Sequence, residues 1–251
     1  MVDLTALVTY TNGLLEIDRF HDYSPNGLQV EGKAAVARLV CGVTASQALI
    51  DAAVEREADA ILVHHGFFWR GEDPRVVGIR YQRLKSLLNH GISLIAYHLP
   101  LDAHPVYGNN AQLAKRLHLT VEGQFGMEKP AIGLHGRLVK PCGGAEFAHR
   151  IERALERIPL HIAGDAETIQ TCAWCSGAAQ SYLEQAVELG VDAFLTGEIS
   201  EQTVHLARET GIHVFAAGHH ATERDGVRVL GEHLAEEFQL EVEFIDILNP
   251  V

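Results

Sequence analysis

Ala58-Asp59-Ala60-Ile61-Leu62-Val63-His64-His65-Gly66 is a short apolar run that ends in two histidines and a glycine. A run of this length, closed by a glycine turn, reads as a buried strand. It recurs: Val191-Asp192-Ala193-Phe194-Leu195-Thr196 matches Ala58 to Val63, with Asp59 falling on Asp192 at an offset of 133 residues, and the same offset carries Thr44 onto Gly177. Further on, Gly211-Ile212-His213-Val214-Phe215-Ala216 parallels Gly91-Ile92-Ser93-Leu94-Ile95-Ala96 at an offset of 120, the intervening loop being shorter. A helical pattern follows the strand in each copy, so the chain holds two structural repeats. This predicts an α/β fold of two intertwined repeats of alternating strands and helices, with mixed, largely parallel sheets. The first repeat is expected over residues 1–124 and the second over 125–251, packing as one body.

Outward from that run, Leu4 to Phe20 has helical spacing interrupted at Asn12-Gly13, and Ser24-Pro25-Asn26-Gly27 is a turn leading into Leu28-Gln29-Val30. Val36 to Val43 reads as a strand, with Thr44-Ala45-Ser46 capping the helix that follows. Gly78 to Asn89 and Asn109 to Leu117 read as helices and Ile92 to Tyr97 as a strand, while Pro100 and Pro105 predict a rigid extended loop over 98–105. From Val121 to about Asp165 the pattern weakens, leaving a strand over Ile132 to Val139 and a helix over Ala145 to Arg157.

Composition narrows the function. The chain of 251 residues is 47% hydrophobic, enough for a sizeable core, and its longest apolar runs fall well short of the roughly 20 residues that span a bilayer. Met1 to Tyr10 lacks a basic start and a cleavage signal, which makes the cytoplasm the expected compartment. A net charge of -13, spread along the chain, argues against duplex DNA as a partner. The cysteines at 41, 142, 172 and 175 are expected to be reduced. Cys172-x-x-Cys175 has no second ligand pair to complete a structural zinc site, so it reads as small core residues on a strand. There is no Walker loop, dinucleotide-binding glycine pattern or Gly-x-Ser-x-Gly elbow.

In parallel α/β sheets ligands lie beyond the carboxyl ends of the strands. The first repeat places His64-His65 and Asp102 there; the second places Gly197-Glu198 and His219-His220-x-x-Glu223. Three imidazoles and two carboxylates form a mixed nitrogen and oxygen set suited to zinc, iron or manganese rather than calcium. Two such ions activate water at neutral pH and clamp a reacting oxygen, so hydrolysis is the natural reaction class. His98, His104 and Glu198 stand close enough in sequence to move protons or to serve structure, and His220 is either an outer partner of the metals or a substrate residue. Phe67, Phe68 and Trp69 fit packing that stiffens the histidine loop better than base stacking.

These segments together resemble one family. Asn26-Gly27-Leu28-Gln29-Val30, Gly42-Val43-Thr44, Val63-His64-His65-Gly66, His98-Leu99-Pro100-Leu101-Asp102, Thr196-Gly197-Glu198 and Gly218-His219-His220-Ala221-Thr222-Glu223 are similar, in order and spacing, to the Nif-three-like dinuclear metal centre family, filed as type 2 GTP cyclohydrolase I proteins, and most of all to its bacterial YbgI type. The resemblance covers nearly the whole chain. It implies a duplicated α/β fold, two divalent metals per subunit and a toroidal homohexamer. By motif, it implies His64, His65, Asp102, His219 and Glu223 as metal ligands, with Glu223 bridging. The expected function is a metal-dependent hydrolase acting on a small anionic nucleotide or modified nucleotide, with GTP ring opening as the version the resemblance implies and with His98, Glu198 and His220 as catalytic candidates. A non-catalytic, metal-containing assembly protein is the alternative from another class.

Overall fold

The computed structural model describes all 251 residues. In its first part, the chain runs β1 (Val2–Asp3), α1 (Leu4–Leu14), β2 (Gly27–Val30), β3 (Ala35–Val36), β4 (Arg38–Thr44), α2 (Gln47–Glu55), β5 (Ala60–His65), α3 (Gly78–His90), β6 (Ser93–Ala96), α4 (Leu99–Ala103) and α5 (Asn109–Leu117). It continues through β7 (Leu119–Phe125), β8 (Gly133–Cys142), α6 (Gly144–Leu155), β9 (Leu160–Ile162), β10 (Ile169–Cys175), α7 (Leu183–Glu188), β11 (Ala193–Thr196), α8 (Glu201–Thr210), β12 (His213–Ala216), α9 (His219–Phe238) and β13 (Glu241–Phe244).

Two compact units result, and they do not follow the repeat boundaries of 1–124 and 125–251. The first takes Met1–Leu101 with Gly226–Leu248, and the second takes Asp102–Asp225 with Asn249–Val251. Two of the three cuts fall inside α4 and α9, and the third follows Leu248.

The first unit is built on a five-stranded sheet in the order β13-β4-β5-β6-β2. Its first four strands are parallel and β2 is antiparallel to β6. The central strands are apolar at almost every position because both faces are covered. Leu39, Cys41 and Leu62 face one core with Leu4 and Leu7 of α1 and Val227, Leu230 and Leu234 of α9. Val40, Ile61 and Val63 face the other, with Leu49 and Ile50 of α2 and Leu87 of α3. Helix α9 comes so close that a Cβ on Gly231 would lie 2.5 Å from the Cys41 sulfur.

The second unit has a six-stranded sheet in the order β7-β8-β10-β11-β12-β9, with β10, β11 and β12 parallel and the flanking strands antiparallel. Trp174, Leu195 and Phe215 pack against Phe147, Ile151 and Leu155 of α6 and Leu113 and Leu117 of α5.

The duplication extends to individual hydrogen bonds. Asp59 accepts the backbone N–H groups of Ala37 and Arg38 at 2.9 and 3.1 Å, and Asp192 accepts those of Gln170 and Thr171, both at 2.9 Å. Each aspartate therefore ties the start of one parallel strand to the next. The carbonyls of the same two residues receive the N–H of Ser93 and of His213. The edge strands correspond as well: β2 and β9 each lie antiparallel to the last parallel strand of their sheet, β6 and β12.

Two expectations need correcting. Residues 98–105 are not an extended loop, since Leu99–Ala103 is a helical turn. Pro100 sits in its first turn, where a missing N–H costs nothing and the fixed φ suits a helix. The weakly patterned region holds strand β7, paired with β8 as a hairpin. Thr120, Glu122 and Gln124 leave most of β7 exposed, and the alternation of Leu119, Val121 and Phe125 with them is broken at Gly123.

Candidate metal centre

In the first unit, β5 delivers His64 and His65 at its carboxyl end and β6 leads directly to His98. His64 is wholly buried, and its Nδ1–H donates to the Tyr97 carbonyl at 2.9 Å, which leaves Nε2 as the lone-pair atom. His65 Nδ1 lies 3.2 Å from the Thr44 hydroxyl at the end of β4. His98 Nδ1 donates to Asp22 at 2.9 Å. Asp22 is itself clamped, accepting from Asn26 Nδ2 at 3.0 Å and from the Leu99 N–H at 3.0 Å, while Asn26 Oδ1 receives the His98 N–H at 2.7 Å. Burial alone would raise the Asp22 carboxyl, but the hydrogen bond and charge of His98, with Asn26 and Leu99, bring it down to about 2.

These three imidazoles converge. His64, His65 and His98 each offer a ring nitrogen within 4.8 Å of the others. The His64 and His65 ring centres are 4.5 Å apart, so the opposed directions expected of neighbouring strand residues are closed by the turn at Gly66. Trp69 and Tyr23 stand edge-on to His98 at 5.4 and 4.9 Å. Phe67 is buried in the core with Phe68 stacked on it at 4.8 Å, the packing role expected of that pair.

In the second unit, the carboxylates come from helix starts. Asp102, on α4, is buried and accepts from Asn109 Nδ2 at 2.8 Å and Ser176 Oγ at 3.0 Å. His219 opens α9, and Glu223 lies one turn on, so that His219 Nε2 is 3.2 Å from the Glu223 carboxylate. The other nitrogen, Nδ1, is held by Glu198 at 2.7 Å. Burial would lower the His219 pKa, but Glu223 and then Glu198 outweigh it and push it up to about 9. Gly177 faces this pair with φ +66°, and a Cβ there would lie 2.3 Å from Glu223 Oε1 and 3.3 Å from His219 Nε2. A side chain at that position would press on both atoms.

His220 is buried, and its backbone N–H donates to the Val251 carbonyl at 3.0 Å. His104 Nδ1 accepts the N–H groups of Val106 and Tyr107, a turn-closing role. Cys172 and Cys175 are free and fully buried on β10. Burial, with the Asp102, Glu128 and Glu223 charges, holds the Cys175 thiol protonated. Sequence reasoning passed over Asp22, Asn109 and Ser176. Each is a short polar residue whose importance comes only from the site residue it touches.

The donor chemistry fits divalent metals. Within the first unit, His64, His65 and His98 form a set of side chains able to hold a metal ion. The model of the Duf34/NIF3 family (NGG1p interacting factor 3) matches residues 2–250. The chain belongs to the NIF3 family. A Pseudomonas aeruginosa relative named GTP cyclohydrolase 1 type 2 homolog is 55% identical over 250 residues, covering 99% of each chain. Among solved structures, protein ybgI, described as of unknown function, superposes with a TM-score of 0.96 at 52% identity over the whole of both chains. The Thermus thermophilus protein TTHA1606 gives 0.90 at 35% identity, again over the whole of both chains. No helix of this NIF3-family chain is long and apolar enough to cross a membrane.

Proposed function

We propose that this NIF3-family chain is a dinuclear-metal-dependent hydrolase acting on a nucleotide or a modified or damaged nucleotide, with chemistry like that of the type 2 GTP cyclohydrolase I proteins. The observation that carries this reading is the oxygen acceptor behind two of the proposed ligand histidines: the Tyr97 carbonyl behind His64 and Glu198 behind His219. Metal-binding imidazoles donate their outer N–H to such partners, which fixes the tautomer and aims the other nitrogen. The name GTP cyclohydrolase 1 type 2 homolog, carried by relatives 55% and 54% identical, supports the substrate class.

In this reading His64, His65, Asp102, His219 and Glu223 would hold two divalent ions per subunit, zinc, iron or manganese. Such ions, when bound, supply Lewis acidity and a clamp for a reacting oxygen. The protein's own groups do the rest. With Nδ1–H fixed on Asp22, His98 uses Nε2 to take up or release the proton. Glu198 keeps the His219 ring in place, and His220 contributes from the next position of α9. Trp69 and Tyr23 shield the imidazoles from bulk water.

The same reading makes the protein a cytoplasmic, toroidal homohexamer. An exposed apolar row, Val76, Val77 and Ile79, supports self-association. Light scattering should give a mass six times that of the 27.5 kDa chain. For the activity, metal-analysed protein is screened against GTP and damaged nucleotides. Turnover of at least one member, abolished by Glu223→Ala and by Asp102→Ala, is expected; inactivity on all of them with both metals present would sink the proposal.

A further inference from the structure

A groove of about 610 Å³ in the second unit lies where the end of α5, strand β8 and helix α6 meet, and shares no residue with the metal centre. Its walls carry Arg116, Lys140, Arg150 and Arg153, with Glu146 as the single carboxylate. In a chain with 33 acidic and 20 basic residues, this is a local reversal of charge. It follows from the helix pattern of α6. Phe147, Ile151 and Leu155 turn inward to the core, leaving His149, Arg150 and Arg153 on the outer side.

The cations divide into two kinds. Arg116 is paired with Asp225 at 2.8 Å and also donates to the Ala154 carbonyl. Arg150 donates to the Lys140 carbonyl at 3.2 Å and the Cys142 sulfur at 3.3 Å, with Glu146 4.0 Å away. These two are fixed parts of the wall. Lys140, Arg153 and His118 are exposed and their side chains have no acceptor within the protein. Between them Val139 and Ala154 supply an apolar floor, Val139 being 61% exposed.

We infer that this groove binds a small phosphate-bearing organic molecule, the phosphate on Lys140 and Arg153 and the apolar body over Val139. A guanidinium fork and an ammonium lining one groove match the charge of a phosphate dianion, and charge-assisted hydrogen bonds of this kind are the strong ones. The volume lies within the range of small-molecule sites and is too small for a folded partner. The ligand is held independently of the metal centre and of the reaction proposed there.

The test is calorimetric titration of the metal-loaded, full-length protein with adenosine 5′-monophosphate and with inorganic phosphate, in the wild type and in the Lys140→Glu/Arg153→Glu double variant. The nucleotide should bind more tightly than inorganic phosphate, and the double variant should weaken it by at least about tenfold. Phosphate groups drawn to the metal centre would bind both proteins alike, so equal affinities would overturn the inference. So would absence of binding by either probe at millimolar concentration, or binding of a single-stranded oligonucleotide alone. If charge reversal disturbs folding, as read by circular dichroism, Lys140→Gln/Arg153→Gln replaces it, with a loss of at least about threefold expected. A Val139→Asp variant should weaken the nucleotide and inorganic phosphate unequally, since only the former has an apolar body to lose.

Discussion

At the scale of single residues, short polar side chains hold the histidines and carboxylates of the candidate site. Asp22 makes the point with a sign that can be checked. Its folded pKa of about 2 lies below the ordinary carboxylate value of 3.8, so its contribution to stability is present above pH 3.8 and is lost as pH falls toward 2. The difference corresponds to ~2 kcal/mol. Thermal unfolding followed from pH 5 to pH 2 should therefore show a steeper loss in the wild type than in Asp22→Asn, which lacks the titrating group and starts less stable. A second residue-scale test is Gly177→Ala. The left-handed backbone would cost about 1 kcal/mol for any side chain, and the methyl would press on Glu223. Metal content by elemental analysis should drop, with affinity weaker by roughly tenfold or more, while the melting curve stays cooperative. Retention of full metal content would count against Glu223 as a ligand. The adjacent pair His64-His65, Asp102 and the His219-His220-x-x-Glu223 segment stand out in the sequence because they lie at strand ends in matched positions. Asp22, Asn109 and Ser176 could not, because an isolated polar residue in a turn looks the same whether or not it supports a ligand.

At the scale of elements, each repeat is held at the start of its parallel strands by one aspartate. Asp59 and Asp192 are equivalent, and removing either leaves two backbone N–H groups without their acceptor. Asp59→Ala and Asp192→Ala should each lower the urea midpoint, by about 1–3 kcal/mol in unfolding free energy, and by similar amounts despite lying 133 positions apart. A large effect at one site and none at the other would mean that the duplication is one of shape only. The parallel strands were legible because their apolar runs are continuous and recur. Strand β7 was not, since its alternation is short and Gly123 stands where the third of its four apolar positions would be. The short helix α4 was hidden by Pro100, which reads as a helix breaker in a window that does not know where the first turn begins.

At the scale of the molecule, sequence carried the fold class and the family, but not the way the chain is shared between two compact units. That partition depends on long-range packing of α9 and β13, for which no local pattern exists. The buried thiols give a molecular test. All four cysteines are free and buried, and burial pushes the thiols of Cys41, Cys172 and Cys175 up. The native protein should react slowly with a thiol reagent and release four equivalents once denatured, and a reducing agent should leave its melting temperature unchanged. Fast labelling of the native protein would show that one of these strands opens readily.

The arrangement of the first unit also bears on how the protein is made. Its sheet takes an edge strand from Glu241–Phe244, and one face is covered by Val227, Leu230 and Leu234. A chain leaving the ribosome from its amino end has produced Leu39, Cys41 and Leu62 long before these partners exist. The second unit needs little beyond the uninterrupted stretch 102–225 and can close first. During synthesis, therefore, the strands that carry His64 and His65 wait with one apolar face bare, and the half of the protein that is made first is finished last.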